Sequence, residues 1–329
     1  HLSIRRQRQM CIRDRYRIAK VSLPGGCAIG SRPVNLHLDA LKKMGGKIKI
    51  KDGYIIASAK KGLEGCLIKF PKISVGATQN ILIAACFSKG TTKLRNCASE
   101  PEVQDLINFL KKLGCKINKV GKRGFDVERA VNLKSITYRV ISDRIEAGTY
   151  IIAAALTNGR IKITNIDPKI ISTEISLLGK MGVKIVKKKN YIIVTCPNKI
   201  KGINTETQPY PGFPTDLQAQ IMVLMTKAEG ISVIKENIFE NRFMHVPELN
   251  RLGAKIKVKK DIAFVSGSRN FKGAQVMASD LRASVSLVLA ALCAEGESEI
   301  NRVYHLDRGY EKIENTLGKL GPSIKREKY

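Results

Sequence analysis

The chain has 329 residues, of which 43% are hydrophobic and 5% aromatic, and its formal net charge at pH 7 is +30. A globular chain of this length and apolar content has room for two domains, each with its own hydrophobic core. The longest apolar stretches, such as residues 286–294, are far shorter than the roughly 20 residues that a membrane span needs, so the sequence excludes a membrane protein.

The eight cysteines are scattered singly along the chain, with no CxxC pair and only four histidines. This usage predicts neither a zinc site nor a disulfide framework. We therefore expect reduced thiols, a cytoplasmic location, and no metal or other cofactor.

The charge of +30 raises the question of a nucleic-acid partner. The basic residues are mostly lysines spread over every segment, and short runs such as residues 187–189 and 259–260 fall near expected strand ends. No aromatic residues alternate with them to form a platform on which bases stack. We interpret most of the charge as solvated surface, which steers a small polyanionic substrate toward the protein, and we expect no nucleic-acid partner.

Five segments share the pattern LxxxG and recur every 68 to 71 residues. Each predicts the last turn of an amphipathic helix that ends at glycine, and the Ile-, Val- and Lys-rich residues after it predict a β-strand. The marker glycines are Gly45, Gly114, Gly182, Gly253 and Gly321.

A second marker alternates with the first and consists of an apolar helix that ends at a glycine, followed by a strand. These helices are apolar nearly all round, which predicts burial on every side. The two markers together imply repeated α/β units with the sheets outside and the enclosed helices inside. The glycines of the second marker are Gly90, Gly159, Gly230 and Gly296.

The first 20 residues break this repeat. Counting back one repeat from Gly90 places an apolar helix over roughly residues 5–18, but the segment carries six arginines and no alanine-rich stretch. A basic targeting peptide is the usual interpretation, and the position inside a repeat argues against it. We expect residues 1–20 to be foreign sequence joined to a truncated chain.

Residues 21–37 place one cysteine in a glycine-rich loop. Cys27 has glycines at positions 25, 26 and 30, so the backbone is able to carry the thiol over a site. Arg32, beside Pro33, ends the loop with a fixed cation suited to a phosphate or carboxylate. A mobile proton donor next to a guanidinium predicts an enzyme that acts on an anionic small molecule. The alternative is a buried structural cysteine.

Residues 209–220, PYPGFPTDLQAQ, lead into a helix that begins near Asp216. One interpretation makes Asp216 an acidic first-turn residue that favours the helix dipole, with Thr215 as the N-cap. The other makes it a catalytic base, which the rigid proline-rich approach favours. The two roles are compatible.

Eight motifs form a set: VSLPGGCAIGSRPVNLH, KISVGAT, EPEV, DRIEAGTY, PYPGFPTDLQAQ, IFENRFMHVPELNRLGA, SDLRAS and HLDRGYEKIE. This set closely resembles the UDP-N-acetylglucosamine 1-carboxyvinyltransferase family, the enolpyruvyl transferases that begin bacterial peptidoglycan synthesis. The resemblance covers nearly all of residues 21–329. The enolpyruvyl transferase of the shikimate pathway shares the fold and the donor but lacks the PGGC loop, so Cys27 argues against it.

The resemblance implies an α/β fold in which two domains each wrap three α/β units into an inside-out barrel. Five units are visible where six are expected, so we expect the first unit to be missing. The domains are then residues 21–141, which carry the loop and about two of three units, and residues 142–329. An inactive truncated remnant, or a basic RNA-associated module, is the alternative to an active enzyme.

The implied reaction moves an enolpyruvyl group from phosphoenolpyruvate to the 3'-hydroxyl of UDP-N-acetylglucosamine and releases phosphate, with consequences for cell shape and division. It needs an acid, a base and cations that hold carboxylate and phosphate. By resemblance, Cys27 is the loop thiol that is linked to protonation and phosphate release and is the target of fosfomycin. Asp216 matches the base that takes the sugar proton.

Arg32, Arg282 and Arg308 match the arginines that bind phosphoenolpyruvate and its adduct, and Arg308 is expected to be catalytic as well, although a lone arginine is usually a solvated surface charge. Asp280 and Asp307 precede two of them and are expected to orient them. The residues that match the nucleotide-sugar contacts are Arg32, Pro33, Val34, Asn35, Leu36, Lys72, Ile73, Ser74, Val75 and Ile238. The oligomeric state is not predicted.

Overall fold

The computed structural model describes residues 18–22, 34–196, 199–267 and 270–327. The chain divides into two compact units, with the boundary between Ile141 and Ser142. The first sheet begins at Ile18, before the predicted start of the loop-bearing domain at residue 21. Across the described ranges, none of the helices has both the length and the apolar character needed to cross a bilayer.

The described part of the first unit consists of two sheets and three helices. Its elements are β1 (Ile18–Ser22), α1 (Asn35–Lys43), β2 (Lys47–Lys51), β3 (Tyr54–Ser58), β4 (Leu67–Lys69), α2 (Val75–Phe87), β5 (Thr91–Arg95), α3 (Pro101–Leu113), β6 (Lys116–Val120) and β7 (Gly124–Glu128). One sheet has the order β1-β3-β2 and is antiparallel. The other has the order β4-β5-β7-β6, in which only β4 and β5 run parallel.

The second unit repeats these patterns and adds two short parallel pairs. Its helices and strands are α4 (Arg144–Leu156), β8 (Arg160–Thr164), α5 (Ser172–Lys180), β9 (Lys184–Lys187), β10 (Tyr191–Thr195), β11 (Asn204–Glu206), α6 (Gln218–Lys227), β12 (Ile231–Lys235), α7 (Val246–Arg251), β13 (Lys255–Lys259), β14 (Ile262–Ser266), β15 (Phe271–Lys272), β16 (Gln275–Met277), α8 (Leu281–Ala291), β17 (Ala294–Glu295), β18 (Glu299–Asn301) and α9 (Ile313–Gly318). The sheet β8-β10-β9 matches β1-β3-β2, and β11-β12-β14-β13 matches β4-β5-β7-β6. The parallel pairs are β15-β17 and β16-β18.

The five marker glycines explain where the amphipathic helices end. All of them adopt φ values between +88° and +120°, a left-handed conformation that glycine reaches without the steric cost of a Cβ. The predicted helix ends are confirmed for α1, α3, α5, α7 and α9. Four of the five are followed by the predicted strand, namely β2, β6, β9 and β13.

The strand predicted after the fifth marker, Gly321, is wrong, because residues 322–327 form no strand. Pro322 has no N–H to donate to a ladder. Arg326 instead anchors residues 322–327 to the rest of the second unit. Its guanidinium donates to Asp307 at 2.8 and 3.0 Å and to Glu314 Oε2 at 3.2 Å.

The apolar helices α4, α6 and α8 lie inside the second unit, where α6 packs against both of the others. All residues of α4 from Arg144 to Leu156 are buried except Glu146 and Tyr150. These helices confirm the prediction of helices inside and sheets outside. The prediction of burial on every side is wrong for α2 in the first unit. One face of this helix carries the polar, partly exposed Gln79 and Asn80, and the helix ends at the exposed Phe87.

A third set of glycines recurs at the joints between strands and was missed in the sequence. The N–H groups of Gly65, Gly202 and Gly273 donate to the carbonyls of Lys89, Glu229 and Glu295, the residues that precede Gly90, Gly230 and Gly296. A Cβ on any of the three would lie 2.1 to 2.7 Å from a backbone carbonyl oxygen. Only glycine permits this backbone approach.

We expect Gly273→Ala to destabilise the second unit by about 3 kcal/mol, since overpacking a rigid contact forces the backbones apart. The added Cβ would lie 2.1 Å from Glu297 O and 2.8 Å from Glu297 N. The matched control is Gly179→Ala in α5, where no atom lies within 4 Å of the added Cβ. That change should stabilise the helix by up to about 1 kcal/mol. Urea denaturation midpoints measure both, and equal midpoints would contradict the prediction.

Candidate active site

Asp216 lies on a short 3₁₀ helix, Thr215–Leu217, that runs directly into α6. Gly148 of α4 permits this placement, because a Cβ there would lie 2.5 Å from Leu217 Cδ1. The helix-start position predicted for Asp216 is therefore present, and close packing against α4 fixes it.

The capping role expected for Thr215 is wrong. Pro214 occupies the N-cap position, and the Thr215 hydroxyl donates to Glu236 Oε2 at 3.0 Å. Glu236 is nearly buried, and its Oε1 accepts from the backbone N–H groups of Ile238 and Phe239 at 2.9 and 3.1 Å. This one carboxylate therefore joins the loop after β12 to the segment that carries Asp216.

The carboxylate of Asp216 lies between two guanidinium groups. Arg242 Nη2 donates to Oδ1 at 2.8 Å, and Arg282 Nη2 donates to Oδ2 at 3.0 Å. The Asp216 side chain is 42% exposed, whereas those of Arg242 and Arg282 are 4% and 14% exposed. Two nearly buried cations against one carboxylate leave net positive charge at a half-exposed position, which favours an anionic ligand.

These cations determine the ionisation of Asp216. Partial loss of solvent raises the pKa of its carboxyl, but the charges of Arg282 and Arg242 outweigh this effect and hold the pKa at about 2. The charge of Arg144 lowers it further. Asp216 is therefore an ionised hydrogen-bond acceptor throughout the neutral range.

Arg282 is the second residue of α8, and Asp280 caps that helix. Asp280 Oδ1 accepts from the N–H groups of Arg282 and Ala283 at 2.9 and 3.1 Å. Asp280 therefore positions Arg282 through its backbone, and the expected carboxylate contact with the guanidinium comes from Asp216 instead. The carboxylate of Asp307 accepts from Arg326 with both oxygens.

Arg308 lies on the 3₁₀ helix Val303–Arg308, which packs against α8. Its side chain is exposed, unlike that of Arg282. Ile238 lies in the loop after β12, where its side chain is partly exposed and its N–H binds Glu236.

A chain of neutral polar groups contacts the Arg282 guanidinium nitrogen that does not bind Asp216. Arg282 Nη1 donates to the hydroxyl of Tyr310 at 3.3 Å, and this hydroxyl lies 2.8 Å from Thr149 Oγ1. Gln220 Nε2 donates to Thr149 Oγ1 at 3.3 Å and to the carbonyl of Asp216 at 2.9 Å. The chain of contacts therefore closes into a ring.

The Arg144–Glu174 pair and His245 are buried groups whose charges interact with residues of this site. Arg144, the first residue of α4, donates to Glu174 Oε1 at 2.8 Å, and their side chains are 8% and 2% exposed. His245 is also buried, and burial lowers its pKa to about 4; the charge of Asp280 opposes the shift and that of Arg242 adds to it. His245 is therefore neutral at pH 7.

The predicted site residues of the first unit lie at two helix starts. Val34 precedes α1, and its carbonyl accepts from the N–H groups of residues 37 and 38. Asn35 is exposed, while the side chain of Leu36 is buried in the hydrophobic core.

The second helix start belongs to α2. Lys72 is exposed and Ile73 partly buried, and Ser74 is the N-cap, where its hydroxyl accepts from Ala77 N at 3.3 Å. Val75 is the first residue of the helix. The remaining predicted residues, Cys27, Arg32 and Pro33, lie outside the described residues.

The chemistry available in the second unit is that of a carboxylate among cations. In the described ranges, no three or more His, Cys, Asp and Glu side chains come together in a way that could hold a metal ion. Asp216 is able to accept a proton, and Arg242 and Arg282 are able to bind and neutralise an anion.

Several functional candidates were not singled out in the sequence, although the motifs contained them. Arg242 lies in IFENRFMH, Arg144 and Thr149 in DRIEAGTY, and Tyr310 in HLDRGY. The available signal was the presence of buried polar residues inside motifs that also hold predicted site residues. Periodicity does not reveal that these side chains meet.

Comparisons with known proteins identify the family of this chain. A family model described as EPSP synthase (3-phosphoshikimate 1-carboxyvinyltransferase) matches residues 4–317. The UDP-N-acetylglucosamine 1-carboxyvinyltransferase of Pelagibacter ubique is 63% identical over 94% of this chain and 74% of its own length. The protein of the same name from Rickettsia bellii is 53% identical over 95% of this chain and 75% of its own length.

Solved structures confirm the predicted fold. The enolpyruvyl transferase NikO from Streptomyces tendae has a TM-score of 0.85 at 26% identity and covers 95% of this chain and 74% of its own. EPSP synthase from Acinetobacter baumannii has a TM-score of 0.71 at 18% identity, over 94% of this chain and 74% of its own, and shows the fold alone. The high identity to these relatives distinguishes their family from the EPSP synthases. The chain belongs to the UDP-N-acetylglucosamine 1-carboxyvinyltransferase family.

Proposed function

We propose that this chain transfers the enolpyruvyl group of phosphoenolpyruvate to the 3'-hydroxyl of UDP-N-acetylglucosamine and releases phosphate, the first committed step of peptidoglycan synthesis. The observation that carries the proposal is the Asp216 carboxylate between Arg242 and Arg282, in a chain 63% identical to an enzyme named for this reaction. The cysteines in the described ranges are reduced thiols, which supports a reaction in the cytoplasm.

Asp216 acts as the general base that takes the proton of the sugar hydroxyl. With a pKa of about 2 it is ionised and able to accept a proton, but it is a weak base while both arginines hold it. The anionic groups of phosphoenolpyruvate compete with Asp216 for the Arg282 guanidinium. As Arg282 turns its charge to the substrate, the pKa of Asp216 rises toward the value that proton transfer requires.

The cations of the site bind the donor. Arg282 and Arg308, together with Arg32, hold the carboxylate and phosphate of phosphoenolpyruvate and neutralise the charge of its tetrahedral adduct. Arg242 keeps Asp216 oriented when Arg282 engages the substrate, because Arg242 also donates to the carbonyl of Thr215 at 3.3 Å.

The nucleotide sugar is bound by backbone groups and small side chains at the predicted positions. Ile238 contributes from a loop that Glu236 fixes in place. Leu36 contributes only its backbone, because its side chain is buried. The other contacts are Arg32, Pro33, Val34, Asn35, Lys72, Ile73, Ser74 and Val75.

Phosphate release measured with both substrates, and with each alone, tests the proposed function. We expect release only when phosphoenolpyruvate and UDP-N-acetylglucosamine are both present, together with a nucleotide product heavier by one enolpyruvyl group. Shikimate 3-phosphate serves as the control acceptor. Phosphate release with shikimate 3-phosphate and none with UDP-N-acetylglucosamine would contradict the proposal.

We expect fosfomycin, added with UDP-N-acetylglucosamine, to modify Cys27 selectively, because the glycine-rich sequence predicts an accessible loop thiol and the cation of Arg32, five residues later, favours the thiolate. Four competing thiols react slowly, because burial raises the pKa of Cys66, Cys196 and Cys293, and that of Cys97 to about 12. A hydrogen bond with Cys86 lowers the pKa of Cys115, but that residue is only 4% exposed, so the reagent does not reach it. Peptide mass spectrometry locates the adduct. Adducts spread equally over the other cysteines, or unchanged labelling in a Cys27→Ala variant, would contradict the prediction.

A further inference from the structure

Tyr310 is buried, with 1% of its surface exposed, and its hydroxyl contacts two functional elements of the second unit. Arg282 Nη1 donates to this hydroxyl at 3.3 Å, and Thr149 Oγ1 lies 2.8 Å from it. Tyr310 lies in the HLDRGY motif, close to Arg308, but neither the motif nor the reaction assigns it a role.

The hydrogen bonds of Thr149 determine which way the Tyr310 proton points. The Thr149 hydroxyl donates its only hydrogen to the carbonyl of Ile145 at 2.9 Å and accepts from Gln220 Nε2 at 3.3 Å. Tyr310 must therefore donate to Thr149, which leaves a phenol lone pair for the N–H of Arg282. Burial raises the pKa of Tyr310, so the phenol stays protonated at neutral pH.

Arg282 consequently has two partners of different kinds. Asp216 is charged, and its hold on the guanidinium weakens when the carboxylate takes a proton. Tyr310 is neutral, so its contact with Arg282 does not depend on the protonation state of Asp216 or on substrate charge. A neutral partner that is itself fixed by Thr149 is suited to keep a cation in place during proton transfer.

We propose that Tyr310, fixed by Thr149, is a positioning residue that keeps the Arg282 guanidinium oriented toward the anionic donor while Asp216 changes its protonation state. The inference rests on the proposed function, in which Arg282 binds phosphoenolpyruvate and Asp216 is the base. It adds to that function that the neutral hydroxyls of Tyr310 and Thr149 orient the arginine of the donor site.

Tyr310→Phe isolates the hydroxyl, because the ring still packs with the apolar cluster that includes Val285, Leu306 and Ile313. The matched control is Tyr304→Phe, in an exposed tyrosine of the neighbouring 3₁₀ helix whose hydroxyl accepts from Arg302 at 3.1 Å. A hydrogen bond to a charged group contributes about 1.5–3 kcal/mol, which corresponds to roughly tenfold or more in an equilibrium constant.

We expect Tyr310→Phe to raise KM for phosphoenolpyruvate about tenfold and to lower kcat, with KM for UDP-N-acetylglucosamine within about twofold of the wild-type value. Tyr304→Phe should match wild type. Thr149→Ser keeps the hydroxyl and should retain KM, whereas Thr149→Val should behave like Tyr310→Phe. Equal changes in both KM values, or a Tyr310→Phe enzyme with wild-type kinetics, would overturn the proposal.

A double-mutant cycle with Arg282→Lys separates positioning from general destabilisation. Because Tyr310 acts through Arg282, adding Tyr310→Phe to Arg282→Lys should change kcat/KM by less than about twofold. Fully additive losses would overturn the inference and leave the proposed function intact.

Calorimetric titration with phosphoenolpyruvate gives the same comparison without turnover. We expect Tyr310→Phe to weaken phosphoenolpyruvate affinity about tenfold relative to wild type. Equal affinity in the two proteins would overturn the inference alone. A wild-type chain that binds no phosphoenolpyruvate would overturn the proposed function, and the inference with it.

Discussion

Asp216→Asn should lower kcat by about 10² or more while the protein stays folded, the usual scale for loss of a general base. Asparagine has nearly the same shape and keeps a carbonyl oxygen that accepts from one arginine, but it takes up no proton. Arg242 retains its contact with the carbonyl of Thr215 at 3.3 Å, so the local backbone remains supported. Initial rates of phosphate release measure the effect.

The effect on substrate affinity distinguishes a base from a purely structural group. Asp216 competes with the substrate anions for Arg282, so removing its charge should leave KM for phosphoenolpyruvate unchanged or lower it. The control is Asp261→Asn, since Asp261 is exposed and its nearest cation, Lys235, lies at 3.8 Å. A kcat within threefold of wild type would favour the helix-terminus role of Asp216 instead.

The same substitution has a predictable pH signature. The pKa of Asp216 lies near 2, below the unfolded-state value of about 3.9. Its stabilising contribution is therefore fully present above pH 4 to 5 and is lost as the pH falls toward 2. Unfolding curves of wild type and Asp216→Asn should differ at neutral pH and converge in acid.

Glu174→Gln should destabilise the second unit by about 3–5 kcal/mol, because it removes the carboxylate that compensates a buried guanidinium. Arg144 Nη1 lies 2.8 Å from Glu174 Oε1, and both side chains are almost fully buried. Glutamine preserves volume, so the loss reports charge rather than a cavity. Urea denaturation, followed by a probe in the second unit, measures the change.

The control for this charge effect is Glu229→Gln, in an ion pair with Lys199 at 3.2 Å whose partners are 56% and 81% exposed. Solvent screens such pairs, so the expected change is below about 1 kcal/mol. If Glu174→Gln costs no more than Glu229→Gln, the buried pair contributes little and the prediction is wrong.

The repeat architecture was predictable from sequence because glycine leaves a direct local signal. Gly114 and Gly182 require left-handed backbone at the ends of α3 and α5, and that requirement depends on neighbours within one turn. The joints formed by Gly65, Gly202 and Gly273 were not predicted, since the constraint on each comes from a carbonyl in another element.

The residues of the site were likewise predictable only where a local motif marks them. Asp216 and Arg282 were recognised from motifs, but the ion pair between them joins residues 66 positions apart and has no local signal. Thr215 was expected to cap a helix on local propensity, and a tertiary contact with Glu236 took its hydroxyl instead. Arg242 lies in IFENRFMHVPELNRLGA, one of the motifs that resemble the family. Only its burial beside Asp216 distinguishes it from a surface charge.

The contact between Thr149 and Tyr310 forms late in folding. The two hydroxyls are 161 residues apart in the chain, so they meet only after nearly the whole second unit has been synthesised and has collapsed. Contacts of such long sequence separation form slowly and late in folding. Recovery of phosphoenolpyruvate binding during refolding should therefore lag behind recovery of helical content. Ligand binding then shows when the tertiary contacts of the second unit are complete.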